Sequence, residues 1–210
     1  MKCERSALHT FTKHKGAMIK VIFSRKGFDS QNGGMASPIY DSTPISLPIP
    51  YPSSTIAYED LGLGKIIFDL SKGKLSSSSF CHPDPDLEIG AFGQSHAAQG
   101  HLENQGVNKG DLFLFFGTFR EAKLSASKFT WVEGSKNHHR IFGWLFVEKK
   151  IRVGTAVDDF AINYPAYARH PHSIGTWDRN NTIFIAPKHY DLFGKLRVRG
   201  FGKFLSTEQT

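Results

Sequence analysis

The stretches GHLENQGVNKGDLFLFF (residues 100–116) and HRIFGWLFV (residues 139–147) decide the fold class. Residues 111–116 and 140–147 are runs of large apolar side chains. Both are too short for a helix core and rich in aromatic and branched residues, so both read as strands apolar enough to be buried centrally. The polar residues 120–139 between them read as a connection. Immediately upstream, residues 94–105 contain few helix breakers, and Gly106 is a suitable C-terminal stop, so this segment reads as a helix.

Working outward, residues 19–24 (IKVIFS) form a further strand, and residues 182–186 (TIFIA) another. A last strand is expected within 195–205. Gly27, Gly33 and Gly34 mark residues 25–39 as a loop with positive-φ positions. Residues 45–52 (ISLPIPYP) are extended, because each proline disfavours helix at the residue before it. Residues 55–61 begin a short helix capped by Ser54 or Thr55. Residues 65–70 are an apolar run of either type, and 72–80 a loop. The expectation is an α+β, β-rich single domain with a few short helices. It spans residues 18–205, behind a flexible extension of residues 1–17. The end near residue 205 looks C-terminally truncated.

Hydrophobic residues make up 40% of the 210, enough for a packed core and too many for a disordered chain. The formal charge of +7 favours a polyanionic partner. Cys3 and Cys81 are the two cysteines. Cys3 lies in the extension, so a structural disulfide is not expected, which fits a reducing cytoplasm. No apolar stretch reaches the roughly 18 residues of a membrane span, and the first residues lack the apolar segment of a secretory signal. G-x-x-x-x-G-K-[ST], G-x-G-x-x-G and G-x-S-x-G are absent, which argues against a nucleotide-hydrolysing motor and a dinucleotide dehydrogenase.

Several motifs stand out together: SRKGFDSQNGGMASPI (24–39), ISLPIP (45–50), HPDPDL (82–87), FGQSHAAQGHLENQGVNKGDLFLFFGTFR (92–120), IFGWLFV (141–147) and HPHS (170–173). On these the chain resembles the nucleotide modification associated domain of the third type, from about residue 18 to about residue 186. The resemblance implies a role beside systems that modify DNA bases or sense modified ones, and it implies no established reaction. At the level of fold, the helix, GD and strand-with-glycine layout is similar to PUA-like domains, including the EVE and ASCH groups. Those are small, partly open β-barrels that accept an unusual base.

Candidate site residues follow. Ser24, Arg25, Lys26 and Asp29 lie at the C-terminal end of a strand beside glycines, where side chains and backbone N–H groups hold phosphate; a basic turn capped by Asp29 is the alternative. His82, Asp84 and Asp86 alternate with Pro83 and Pro85, which limits the entropy lost in fixing them. They suit a general base, a cation site or a rigid surface turn. His101 and Gln105 share a helical face with Gln94 and suit base-edge reading. His170 and His172 flank Pro171, and on an extended segment they would point to one side. Tyr167 and Arg120 are candidates for a pocket wall and a phosphate contact. His82, Asp84, His101 and His170 are the catalytic candidates. No Cys-x-x-Cys or His-Glu-x-x-His is present, so no metal is assigned, and no motif names a cofactor.

Two functional readings stand: recognition of a modified base in DNA, and an enzyme such as a glycosylase or transferase acting on one. A non-catalytic interaction domain is a third. The first two require that the loops near residues 25–30, 82–86, 101–105 and 170–172 converge.

Overall fold

The computed structural model describes residues 7–12 and 18–204. In chain order its strands are β1 (Ala7–Thr12), β2 (Met18–Arg25), β3 (Ser37–Tyr40), β4 (Thr43–Pro44), β5 (Ile49–Pro50), β6 (Cys81–His82), β7 (Ala91–Gln94), β8 (Leu112–Ser125), β9 (Lys128–Trp131), β10 (His138–Phe146), β11 (Lys149–Arg152), β12 (Thr182–Ile185), β13 (His189–Leu192), β14 (Leu196–Arg199) and β15 (Phe201–Lys203). The α-helices are α1 (Gly64–Leu70), α2 (His96–Asn104) and α3 (Val157–Asn163). The fold is α+β and β-rich. The principal sheet runs in the order β1-β2-β8-β10-β15 without closing on itself. No described helix is long and apolar enough to cross a membrane.

The chain gathers into two compact units that interleave in sequence. The first contains Met1–Arg25, Asp84–Phe115 and Gly143–Lys203. Its aromatic core is built on Phe92, Phe113, Phe115 and Phe184, none of them exposed. The Phe92 ring centre lies 4.9 Å from that of Phe113, 5.1 Å from Phe115 and 5.8 Å from Phe184. Edge-to-face and offset contacts of this kind add to the burial of ring area. In this unit β12 pairs antiparallel with β11 on one side and with β7 on the other. After β12 the chain turns into the β13–β14 hairpin, in which His189 faces Arg199 and Asp191 faces Arg197.

The second unit contains Lys26–Pro83, Phe116–Phe142 and Phe204–Thr210. Its core packs Phe28, Leu47, Tyr58, Ile67 and Leu70 with Cys81. The glycines of the 26–39 loop do take positive φ: 77° at Gly27, 88° at Gly33 and 72° at Gly34. Phe28 lies under Gly33, where an added Cβ would come within 2.3 Å of the ring.

Several expectations change. Residues 7–12, read as part of an extension, form β1 and pair with β2. The rest of that extension, and the chain beyond residue 204, lie outside the described residues. Residues 120–125 continue β8 instead of connecting two strands, because Ala122 sits on the inner face of a β8–β9 hairpin. Ala126 and Ser127 close it with φ of 46° and 61°, the doubly left-handed turn that suits strand twist. β8 is also half-buried on alternate residues, not buried on both faces. Residues 65–70 resolve as α1, while the helix expected at 55–61 shrinks to a 3-10 turn at Glu59–Leu61. The final strand is broken at Gly200, since a Cβ there would fall 1.8 Å from the carbonyl oxygen of Pro187.

Asp69 ties α1 to β9. Its Oδ2 accepts from Lys65 Nζ at 2.8 Å and from the Phe129 N–H at 2.9 Å. The Lys65 hydrogen bond holds this carboxyl below the usual range, and the Phe129 N–H adds to that. Asp69→Ala is expected to cost about 1–3 kcal/mol, because a half-buried N–H loses its acceptor. A carboxyl whose folded pKa is depressed contributes stability that is complete above its unfolded pKa of about 3.9 and fades as pH falls through the folded value. The Tm gap between wild type and Asp69→Asn should therefore be full at neutral pH and shrink below about pH 4. An unchanged gap in thermal melts at pH 3 would refute the assignment.

Candidate functional site

β7 lies at the edge of its sheet, so its outward backbone groups need partners from elsewhere. The DPD segment supplies them. The Ala91 N–H donates to the Asp86 carbonyl and the Asp86 N–H to the Ala91 carbonyl, each at 2.9 Å. The next outward donor, the Gly93 N–H, reaches the Asp84 carboxylate instead, with Oδ1 at 2.7 Å. Asp86 Oδ1 meanwhile caps the following turn through the Glu88 N–H. The two carboxylates of the motif therefore do different work, and only Asp84 is turned inward.

The Asp84 side chain is 2% exposed and that of His170 is fully buried, with His170 Nε2 3.2 Å from Asp84 Oδ1. The distance is that of an ion pair. Proton placement follows from the other nitrogen. His170 Nδ1 accepts from the His172 N–H at 3.2 Å, so a neutral His170 carries its proton on Nε2, facing the carboxylate. A buried carboxylate without such partners would be costly.

His172 is fixed from several directions. Its Nδ1 lies 2.7 Å from Asn181 Oδ1. The Asn181 amide nitrogen donates to the carbonyls of His172 at 2.9 Å and Gly154 at 3.3 Å, which leaves only its oxygen to face the imidazole. His172 therefore carries its proton on Nδ1 and its lone pair on Nε2. The ring stacks on Trp177, 4.1 Å between centres and 14° from parallel. It also lies against Gly93, where a Cβ would fall 2.1 Å from Cδ2. A ring nitrogen of His172 and a carboxylate oxygen of Asp84 lie within 4.8 Å of each other. A carboxylate and an imidazole are thus held close together, and each is braced from behind. Such a pair suits acid–base chemistry, and it also suits a cation.

Of the residues nominated from sequence, Asp84, His170 and His172 come together. The 170–173 segment is not extended as expected: Pro171–Ser173 form a 3-10 turn capped by His170, and the two rings sit 5.8 Å apart at 41°. His82 stands two residues before Asp84, on β6 in the second unit, its ring edge-on to Tyr51 at 5.4 Å. His101 and Gln105 are exposed at the C-terminal end of α2, and none of the hydrogen bonds described for the site involves them. Gln94 is not on that helix at all, because it ends β7. Ser24 is buried near the end of β2. Arg25 ends β2, and the Lys26 N–H bonds the Phe116 carbonyl. Asp29 caps its own loop, its Oδ1 accepting from the Gln31 and Asn32 N–H groups at 2.7 Å each. Arg120 bonds Ser135 Oγ and lies over the Trp131 ring. Tyr167 packs against the cluster of Ala91, Val153, Phe160, Ile183 and Ile185, and burial raises its hydroxyl pKa.

Gly93, Asn181 and Trp177 complete the site. A further feature lies at the β7–α2 junction. His96 takes φ of 53°, its N–H donates to Asp178 Oδ2 at 3.1 Å, and its Nδ1 lies 2.9 Å from Ser95 Oγ. A non-glycine residue in the left-handed region costs energy, and such positions gather at functional sites.

Comparison with known proteins adds one finding. The family model described as nucleotide modification associated domain 3 matches residues 20–209, nearly the whole chain, and runs past residue 186, where the motif resemblance stops. No curated protein and no solved structure matches.

Gly93→Ala isolates the packing of the site. The added methyl cannot coexist with the present position of His172, and overpacking of this kind costs about 1–3 kcal/mol. The variant is expected to fold with a lower Tm and a displaced imidazole. In ¹⁵N NMR, wild-type His172 should show the Nδ1–H tautomer and His170 the Nε2–H tautomer, with the His172 pattern altered in the variant. An unmoved His172 signal in Gly93→Ala would contradict the geometry.

Proposed function

The chain belongs to the nucleotide modification associated domain 3 family, and from that premise we propose that it acts chemically on nucleotides carrying a modified base, in DNA, with Asp84 and His172 as the reacting pair. The observation that carries this reading is their double bracing: Asp84 by the Gly93 N–H and His170, His172 by Asn181. Side chains held in this way lose little freedom when they meet a substrate. His172 Nε2 is the general base, because imidazole titrates near neutral pH and its other nitrogen is committed. It takes the proton of a water or hydroxyl nucleophile. Asp84, in the same site, stabilises the imidazolium that results.

A polyanionic substrate fits the rest of the chain. The formal charge is +7, and part of it is concentrated on the β13–β14 hairpin. Lys188, His189, Lys195, Arg197 and Arg199 are all exposed there, against Asp191 alone. At the tip, Phe193 is 47% exposed and takes φ of 56°. An exposed aromatic ring between cations can stack on bases while its neighbours hold phosphates. The hairpin leaves β12 at the end away from Asn181. It therefore stands about 13 Å along the strand from the reacting pair, so it grips substrate and does not line the site.

The test is incubation with DNA carrying modified bases, followed by mass spectrometry of the released nucleosides. Wild type should convert the modified nucleoside. Asp84→Asn and His172→Gln should each lower turnover by about 10²–10⁴, the usual contribution of acid–base catalysis, while binding changes little. Unchanged nucleosides with retained binding would overturn the catalytic reading and leave a reader of modified bases. Arg197→Ala with Arg199→Ala should weaken binding at every sequence and flatten its dependence on log salt by about 1–2 in slope.

A further inference from the structure

We infer that the tip of the β13–β14 hairpin is a wedge for duplex DNA, with Phe193 pressed between stacked base pairs and the cations of the hairpin on the flanking phosphates. The inference rests on the reading above for DNA as the partner, but not on the reacting pair. The hairpin has two unlike faces. Its register sets His189 against Arg199 and Asp191 against Arg197 on one face, and Tyr190 against Val198 and Leu192 against Leu196 on the other. The second face is held at its base. Tyr190 stacks on Phe146, 4.1 Å between centres and 5° from parallel, and its hydroxyl donates to the Gly110 carbonyl at 3.2 Å. Trp144 Nε1 donates to the Arg199 carbonyl at 3.2 Å. All of these residues belong to the first unit. The first face is left to solvent with His189, Arg197 and Arg199, joined by Lys188 and Lys195, and Asp191 is the one acid among them.

Phe193, Gly194 and Lys195 form the tip, beyond the Leu192–Leu196 pair. Phe193 takes φ of 56° and Gly194 of 67°. Glycine fills a left-handed position at little cost, and a bulky aromatic residue does not. The ring returns none of that cost to the core, since Phe193 is 47% exposed and Leu196 beside it 58%. Backbone strain and apolar surface thus coincide at the end of a braced, cationic projection, which is where a ligand contact offsets both. The charge selects a polyanion. The number of rings selects a duplex over a single strand. Single-strand grooves stack successive bases on several aromatic residues, whereas this hairpin exposes one phenyl ring, because Tyr190 is committed to Phe146. A lone apolar side chain of this kind unstacks one base step and bends the duplex. A two-stranded ribbon is also narrow enough to approach a groove.

The experiment uses the full chain and unmodified DNA, so it needs no turnover. A closed circular plasmid relaxed by a topoisomerase in the presence of the protein should retain a changed linking number after the protein is removed, because a wedge untwists the step it opens. Phe193→Ala should abolish that change and weaken binding to a short duplex about fivefold or more. Its slope on log salt should stay as in wild type, since no phosphate contact is lost. Phe193→Gly should bind as weakly while its Tm stays level or rises, because glycine suits φ of 56°. A lowered Tm with retained binding would instead mark the ring as structural and overturn the wedge. An unchanged linking number with wild type, equal duplex affinity in Phe193→Ala, or tighter binding of single-stranded than of double-stranded DNA would each overturn it too. So would capture by phosphatidylserine vesicles that Phe193→Ala abolishes while duplex binding stays intact. Nucleoside conversion without any wedge effect would overturn this inference and leave the catalytic reading standing. A wedge without conversion would do the reverse.

Discussion

One backbone position governs the site. Gly93 sits on an edge strand, so its N–H points away from the sheet and must find an acceptor. It finds Asp84. The same residue has no side chain, and the space a Cβ would take is filled by the imidazole of His172. A donor and a vacancy at a single residue thus fix both Asp84 and His172. The position is anchored in turn by pairing with Ile183 on β12, next to the phenylalanine core of the first unit. Because β12 begins directly after Asn181, one strand sets both the register of Gly93 and the place of the amide that orients His172. The aromatic core matters to function through this register, since displacing β12 by one residue would reverse the faces on which these groups stand.

Much of the fold was legible because its strands are strongly patterned. The 19–24, 111–116, 140–147 and 182–186 runs are apolar and aromatic, and each became a strand. The misses share a cause. β7 is a four-residue strand, AFGQ, in which Gly93, together with Gly90 just before the strand, leaves no clear alternation. Its C-terminal end merges without a break into a helix-compatible run, because the chain turns at His96 with positive φ instead of at a glycine or proline. Nothing in local propensity marks that turn. β8 extended past its apolar part for the opposite reason: Glu121 and Lys123 are exposed polar residues on the outer face of a hairpin, which looks like loop composition when partners are unknown.

The site was half legible. Proline-flanked polar residues at 82–86 and 170–172 pointed to rigid, committed side chains, and Asp84, His170 and His172 do meet. The choice among them did not follow from composition. Asp86 is equivalent to Asp84 by spacing, and only the edge of β7 distinguishes an inward carboxylate from a turn cap. His101 was attractive for preceding the GD strand, yet a histidine at the open end of a short helix is exposed by geometry. Asn181 and Gly93 carry no local signal, because their role exists only across chain separations of 9 and 79 residues to His172.

A buried network of one carboxylate, two imidazoles and an amide is an expensive way to fill a core. Replacing such a group with well-packed apolar side chains is often neutral or stabilising. One of its imidazoles is stacked on Trp177, and His96, at the end of the strand that carries Gly93, takes a positive φ. Several local costs therefore accumulate within one stretch of a small unit, while the phenylalanine core of that unit follows the ordinary rules of packing. Departures from local consistency that cluster in space are what a functional site produces and a merely structural polar core does not require. The energetic argument singles out a few residues within a chain that the family assignment covers from residue 20 to residue 209. The first rests on the cost of holding Asp84 and His172 in place, and the second on sequence spread over nearly the whole chain.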